Sequence, residues 1–358
     1  MAGDQSASGG AGGALGGRSR WADVDGPVHY LDFGGPSRAP VIVCVHGLGG
    51  SAVNWSAIAP LLTSRYRVIA PDLAGFGLTR AGGRGTTVFA NRALLHRFLQ
   101  TVPAAATNPV ILIGNSMGGM ISILEASASP QTVSALVLVD PALPFALAQP
   151  DPLVTAIVAL YSTPGLGGLA RSLRRSTPPD VQVARLLALC CADPARVPAL
   201  AVAQHVEMER RRADFPGKTE ALRTAGRSVL HTIGRQRGRA YRAIVDSVRC
   251  PVLLVQGDRD RLVPAGVARA AAREHPEWAL AMMPGIGHVP QLEAPGETAG
   301  LIVEWLDRGH RGAGRAGRAG SDDRAAGGLR AAVSSLGSAV SAVSKSLNRG
   351  PRSAGLRD

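Results

Sequence analysis

The sequence predicts an α/β fold: a mostly parallel sheet flanked by helices and interrupted once by an inserted helical cap. Two observations carry this expectation. Short, nearly continuous runs of Val, Ile and Leu alternate with stretches of helical spacing, as strands buried on both faces of a parallel sheet require. The alternation stops after Pro141 and resumes at Pro251, leaving an arginine-rich segment without a strand-like run between them.

Taken in order, residues 1–20 are rich in Gly, Ser and Ala and are expected to be disordered. Residues 21–141 form the first part of the core. Its strand-like runs are VHYLDF (28–33), VIVCVHG (41–47), RVIAPD (67–72), VILIGNS (110–116) and ALVLVD (135–140), and Phe89 to Leu99 has helical spacing. Residues 142–248 are the cap. Residues 249–308 complete the core with PVLLVQGD (251–258), WALAMMPG (278–285) and a last helix over Pro295–Arg308. Residues 309–358 return to a basic, low-complexity tail.

Composition removes several classes. With 46% apolar and 18% charged residues over 358 positions, the chain can bury a sizeable core and is neither a coiled coil nor wholly disordered. The net charge of +13 divides as +2 over residues 1–144, +8 over 145–249, −3 over 250–308 and +6 over the tail. It is arginine charge almost throughout, the only lysines being Lys218 and Lys345, and no nucleic-acid partner is expected. Cys44, Cys190, Cys191 and Cys250 have no metal-site or disulfide spacing, which fits buried thiols in a reducing compartment. The N-terminal stretch lacks a charged segment followed by an apolar one, so no signal peptide is expected. The uncharged window Pro152–Ala170 contains Pro164, Gly165, Gly167 and Gly168. It is read as a short helix over Leu153–Leu160 and a turn, not as a membrane span. A cytoplasmic, soluble protein is the expectation.

The sharpest chemical signal is Gly114-Asn115-Ser116-Met117-Gly118-Gly119, between an apolar strand and a helix-like run. A serine lifted on so sharp a turn needs small residues two positions to either side, and the turn aims its Oγ at a helix N-terminus, where free N–H groups favour an oxyanion. A serine hydroxyl also needs a base, and the base an orienting carboxylate. Downstream, Gly257-Asp258-Arg259-Asp260 and Gly287-His288 each follow a strand-like run. Upstream, VIVCV leads into the small-residue loop His46-Gly47-Leu48-Gly49-Gly50. All four segments fall at the C-terminal strand edge, where open parallel sheets bind ligands.

In these motifs, HGLGG (46–50), DLAGFG (72–77), GNSMGG (114–119), GDRDRLVP (257–264) and GHVPQLEAP (287–295), the sequence resembles the α/β-hydrolase family over roughly residues 21–308. The resemblance implies Ser116 as nucleophile, His288 as general base and then acid, and Asp260 as the acid orienting His288. It implies the N–H groups of Leu48 and Met117 as the oxyanion hole. The family's G-x-x-D-x-x-x-P pattern falls on Asp260 and not on Asp258. Asp140 sits where a minority of relatives keep the acid, and His46 is read as a prop of its loop. The remaining histidines have no ligand spacing; no metal and no cofactor are expected.

Serine at the nucleophile position argues against the relatives that use aspartate there. The reaction expected is hydrolysis of a carboxylic ester, its partner a small-molecule ester or lipid-like substrate. Asn115-Ser116-Met117-Gly118-Gly119 and the helix His205–Arg212 also resemble the carbon–carbon hydrolases of ring-cleavage products, with Arg210 as the residue to bind a substrate carboxylate. Against this, Gly49-Gly50-Ser51-Ala52 stands where those enzymes carry Gly-Pro-Gly-Ala. A non-catalytic ligand-binding protein of the same fold is the alternative of another class. The cap is expected to lie over Ser116, with Leu153–Leu160 and Leu186–Cys191 as apolar wall or as helix packing, and to favour medium acyl chains over acetyl. In the tail, Leu329, Val333, Leu336, Val340, Val343 and Leu347 make one apolar stripe of a helix over 329–348, expected to make weak peripheral membrane contact.

Overall fold

The computed structural model describes residues 15–106, 109–145 and 177–312. Among these, eight strands form one sheet: β1 (Arg18–Asp23), β2 (Pro27–Gly34), β3 (Val41–Val45), β4 (Arg67–Pro71), β5 (Val110–Asn115), β6 (Val133–Val139), β7 (Val252–Gly257) and β8 (Ala279–Met283). Their order across the sheet is β1-β2-β4-β3-β5-β6-β7-β8. The pairs β1/β2 and β2/β4 are antiparallel and every later pair is parallel. The fold class is therefore the expected one.

One boundary differs from expectation. β1 begins at Arg18, inside the segment up to residue 20 that composition marks as disordered, and Leu15 ahead of it is buried. β1 is held by backbone pairing with β2, from Arg18 opposite Asp32 to Asp23 opposite Pro27. An edge strand held this way needs no apolar run, and RSRWAD has none.

Helices α1 (Val88–Thr101) and α2 (Met117–Ala128) pack against each other on one face of the sheet. Thr87 caps α1 by accepting the N–H of Ala90. On the other face Ile42, Cys44, Ile113, Val137 and Val255 meet Trp55, Ile58, Leu62, Ile302 and Leu306. Burying each such aliphatic side chain contributes about 1.5–3 kcal/mol before chain entropy is charged against it.

Every element described between residues 177 and 248 is helical: α3 (Pro179–Cys190), α4 (Ala199–Arg211), α5 (Lys218–Ile233) and α6 (Arg235–Asp246), with a 3-10 turn at Pro194–Arg196. Val183, Leu187, Cys191, Val197 and Ala201 make a small core of their own, closed by Val289 and Leu292 from beside His288. Within the run Leu186–Cys191, Leu187 and Cys191 are helix packing, whereas Leu186 is exposed. After β7 come α7 (Gly266–Glu274) and α8 (Pro295–Gly312). No described helix is long and apolar enough to cross a membrane. All four cysteines are free thiols. The expected helices at Leu153–Leu160 and 329–348, and the whole window Pro152–Ala170, lie outside the described residues.

Candidate active site

The parallel strands deliver the singled-out residues to one edge in spatial order: the 46–50 loop after β3, Ser116 after β5, Asp140 after β6, Asp260 after β7 and His288 after β8. Ser116 has φ 55° and ψ −116°, a conformation L-residues rarely adopt. The turn closes because its neighbours lack side chains. A Cβ on Gly114 would lie 2.5 Å from the Gly118 carbonyl oxygen, and one on Gly118 would lie 2.1 Å from that of Val45. Gly47 brings the upstream loop against the serine, since a Cβ there would come within 3.2 Å of Ser116 Cβ. Leu48 follows directly. Met117 opens α2, so its N–H is one of those a helix leaves without an internal acceptor.

β5 and β8 are three strand spacings apart, roughly 14 Å. The loop after β8 covers that gap by folding back over β7. Gly257 lets it pass, for a Cβ there would lie 2.1 Å from the Gly287 carbonyl oxygen. Asn115 Nδ2 then donates to the His288 carbonyl at 3.0 Å, tying the histidine to the residue before the serine. The His288 ring donates from Nδ1 to Asp260 Oδ2 at 2.7 Å, which leaves the lone pair of the neutral imidazole on Nε2. Asp260 Oδ1 accepts from Leu262 N at 2.7 Å and Val263 N at 3.0 Å. Asp258 is exposed and turns away to accept the N–H of Gly285.

Asp140 is fully buried, with a positive φ of 45°. Its Oδ1 accepts from Gly257 N and from Gln256 Nε2, while no donor reaches its buried Oδ2. Donor atoms of Asp140, Asp260 and His288 lie within 4.8 Å of one another. Burial first, and then the charge of Asp260, raise the Asp140 carboxyl well above the usual range. A proton kept there supplies the hydrogen bond that two facing carboxylates lack. Because the folded value is raised, Asp140 costs no stability below its unfolded value of about 4, and the cost grows as pH climbs from there toward the folded value. Asp140→Asn, which keeps the acceptor for Gly257 and needs no proton, is accordingly expected to melt higher than wild type near neutrality, the gain closing near pH 4. Melting curves of both proteins across that range check it; a gain that persists at pH 4 or is absent at neutrality contradicts it.

His46 is buried with Nδ1–H donating to Gly47 O at 2.8 Å and Nε2 accepting Leu73 N–H at 3.1 Å. Burial lowers its pKa, so it stays neutral while it props the loop. Arg212 adds to that lowering. Arg210 is exposed near the end of α4 and stands outside the hydrogen-bonded group of Asn115, Asp140, Asp260 and His288. Arg212, two residues on, is the buried arginine of the run. A helical signal could have found it, since Ala201, Gln204, His205 and Met208 define the inward stripe and position 212 continues it. From the cap, α5 covers the upstream loop: Leu222 sits against Gly49 and Leu48 against Gly226.

A strained serine turn after the central parallel strand, with an Asp-bound histidine folded back to it, defines a fold and site of one class. The sequence profile of the alpha/beta hydrolase fold matches residues 40–295, and the chain belongs to that family of enzymes. The dihydrolipoyllysine-residue acetyltransferase component of the acetoin cleaving system of Pseudomonas putida is 31% identical over 302 residues, covering 84% of this chain and 72% of that protein. The pimeloyl-[acyl-carrier protein] methyl ester esterase of Aromatoleum aromaticum is 29% identical over 274 residues, 75% of this chain and 99% of that one. Among solved structures, a bacterial membrane phospholipase A aligns with a TM-score of 0.62 and 26% identity, over 84% of this chain and 89% of its own.

Proposed function

We propose that this protein is a serine hydrolase that cleaves carboxylic esters of small or medium acyl groups. The observation that carries the reading is the bond from Asn115 to the His288 carbonyl, which draws the Asp260-bound imidazole to the strained Ser116 turn. Ser116 Oγ attacks the ester carbonyl carbon as its proton passes to His288 Nε2. The oxyanion is held by the N–H groups of Leu48 and Met117. His288 then returns the proton to the departing alkoxide, leaving an acyl-serine. Water, deprotonated by His288, adds to that acyl group, and collapse releases the acid and restores Ser116. Each oxyanion donor is worth about 3–4 kcal/mol in the transition state.

The names of the relatives, an acyltransferase component, a methyl ester esterase and a phospholipase, share acyl chemistry and support this class. Leu48, 39% exposed, and Leu222 put apolar side chains beside the oxyanion loop, which supports an acyl chain longer than acetyl. Turnover of p-nitrophenyl esters from acetate to decanoate tests both parts. A rate that rises to medium chains is expected. Equal rates at all lengths remove the chain preference, and no turnover at any length removes the ester reading.

A further inference from the structure

Glu293 belongs to the GHVPQLEAP motif, yet neither nucleophile, base, orienting acid nor oxyanion hole employs it. Its side chain is buried and accepts three backbone N–H groups: Gly287 at 2.8 Å and Ala192 at 3.1 Å on Oε2, and Asp193 at 2.8 Å on Oε1. Gly287 precedes His288, whereas Ala192 and Asp193 form the turn that leaves α3 of the cap. A fourth bond runs the other way, His288 N–H donating to the Cys190 carbonyl at 2.6 Å. Contact is so close that a Cβ on Gly287 would lie 2.4 Å from Cys190 O and 2.7 Å from Ala192 N.

The histidine is therefore hung from three places. Asp260 holds its ring, Asn115 its carbonyl, and the cap turn its N–H. The first two belong to the core, and the third belongs to the cap. Three converging N–H groups form a natural anion seat, and a carboxylate fills it without leaving a buried donor unpaired. An uncharged amide of the same shape would point an NH2 at donors on one side.

We infer that Glu293 is a positioning residue that couples the cap to the general base, so that His288 is in register with Ser116 only while the 190–193 turn is seated. This rests on the assignment of His288 as base made above. The coupling also explains why the cap joins the core at this loop as well as over the oxyanion loop. Among the described residues, Asp260 and Asp140 bring carboxylate oxygens within 4.8 Å of a His288 ring nitrogen, and the Cys190 carbonyl accepts the His288 N–H. Burial and then Asp260 push the Cys190 thiol up to about 12, so it stays neutral.

The test compares wild type with Glu293→Gln in the full chain, using p-nitrophenyl ester kinetics per active site titrated with a fluorophosphonate. A second measurement follows the His288 ring by NMR across pH and needs no turnover. Misplacing a reacting group by about 1 Å costs on the order of a hundredfold. The expected result is a kcat per titrated site lower by roughly that factor, with KM nearly unchanged and the His288 titration displaced. If Glu293 only staples the cap, the variant melts lower while kcat per site and the His288 titration match wild type, and that result overturns the inference. A wild type without ester turnover would sink the ester reading alone. The His288 titration would then decide, an unmoved curve overturning the coupling and a displaced one supporting it.

Discussion

Ser116→Ala is expected to lower ester turnover by about four to six orders of magnitude while leaving the fold intact. The size follows from what alanine removes. Without Oγ there is no bond to the acyl group, and His288 and the oxyanion donors have nothing to act together upon. What survives is attack by water in a site still lined with N–H groups. The fold should survive because alanine is no more strained than serine at φ 55°, and because among the described residues no hydrogen bond of the Ser116 hydroxyl caps the helix it opens. The turn is braced instead by backbone, Ser116 N to Val139 O at 3.0 Å and Ala142 N to Ser116 O at 3.2 Å. Steady-state rates and a thermal melt on the same preparation check both halves. Activity within a hundredfold of wild type would remove Ser116 from the chemistry.

Asp260→Asn is expected to cost about ten-thousandfold in kcat with little change in KM. Asparagine can still accept the N–H groups of Leu262 and Val263 through its oxygen, so the loop keeps its shape. Its amide then faces His288 Nδ1 as a donor. The imidazole must answer by carrying its proton on Nε2, the atom that should receive the proton of Ser116. Geometry is kept and the tautomer is wrong. Fluorophosphonate labelling should slow in parallel with turnover, since both need a deprotonated Ser116; labelling at wild-type speed would show that Asp260 does not govern the base.

Much of this architecture is legible in the chain because buried parallel strands announce themselves. The runs at 41–47, 110–116 and 251–258 could hardly pack in any other way, and each leads directly to a candidate site residue: Leu48, Ser116 and Asp260. β1 is not legible, since its order comes from pairing along one edge and not from an apolar face. Asp140 and Glu293 escape for another reason. Their roles come from convergence: Glu293 acts on residues about a hundred positions upstream, and Asp140 on a carboxylate in the loop after the neighbouring strand. Arg210 and Arg212 differ only in helical phase, which the inward stripe of α4 records and the basic run conceals.

Among the described residues β1 is the end strand of the sheet, and that edge has a bearing on association between molecules. An unpaired strand edge invites another chain to add itself to the sheet, and proteins that stay dispersed place charges there. Arg18 and Arg20 are both exposed on this strand. A second strand docking against it would have to strip water from two guanidinium groups, after crossing the mutual repulsion of chains that each carry +13. The same short, unpromising hexapeptide that hides its strand from a hydropathy reading thereby guards the flank of the sheet against colloidal growth.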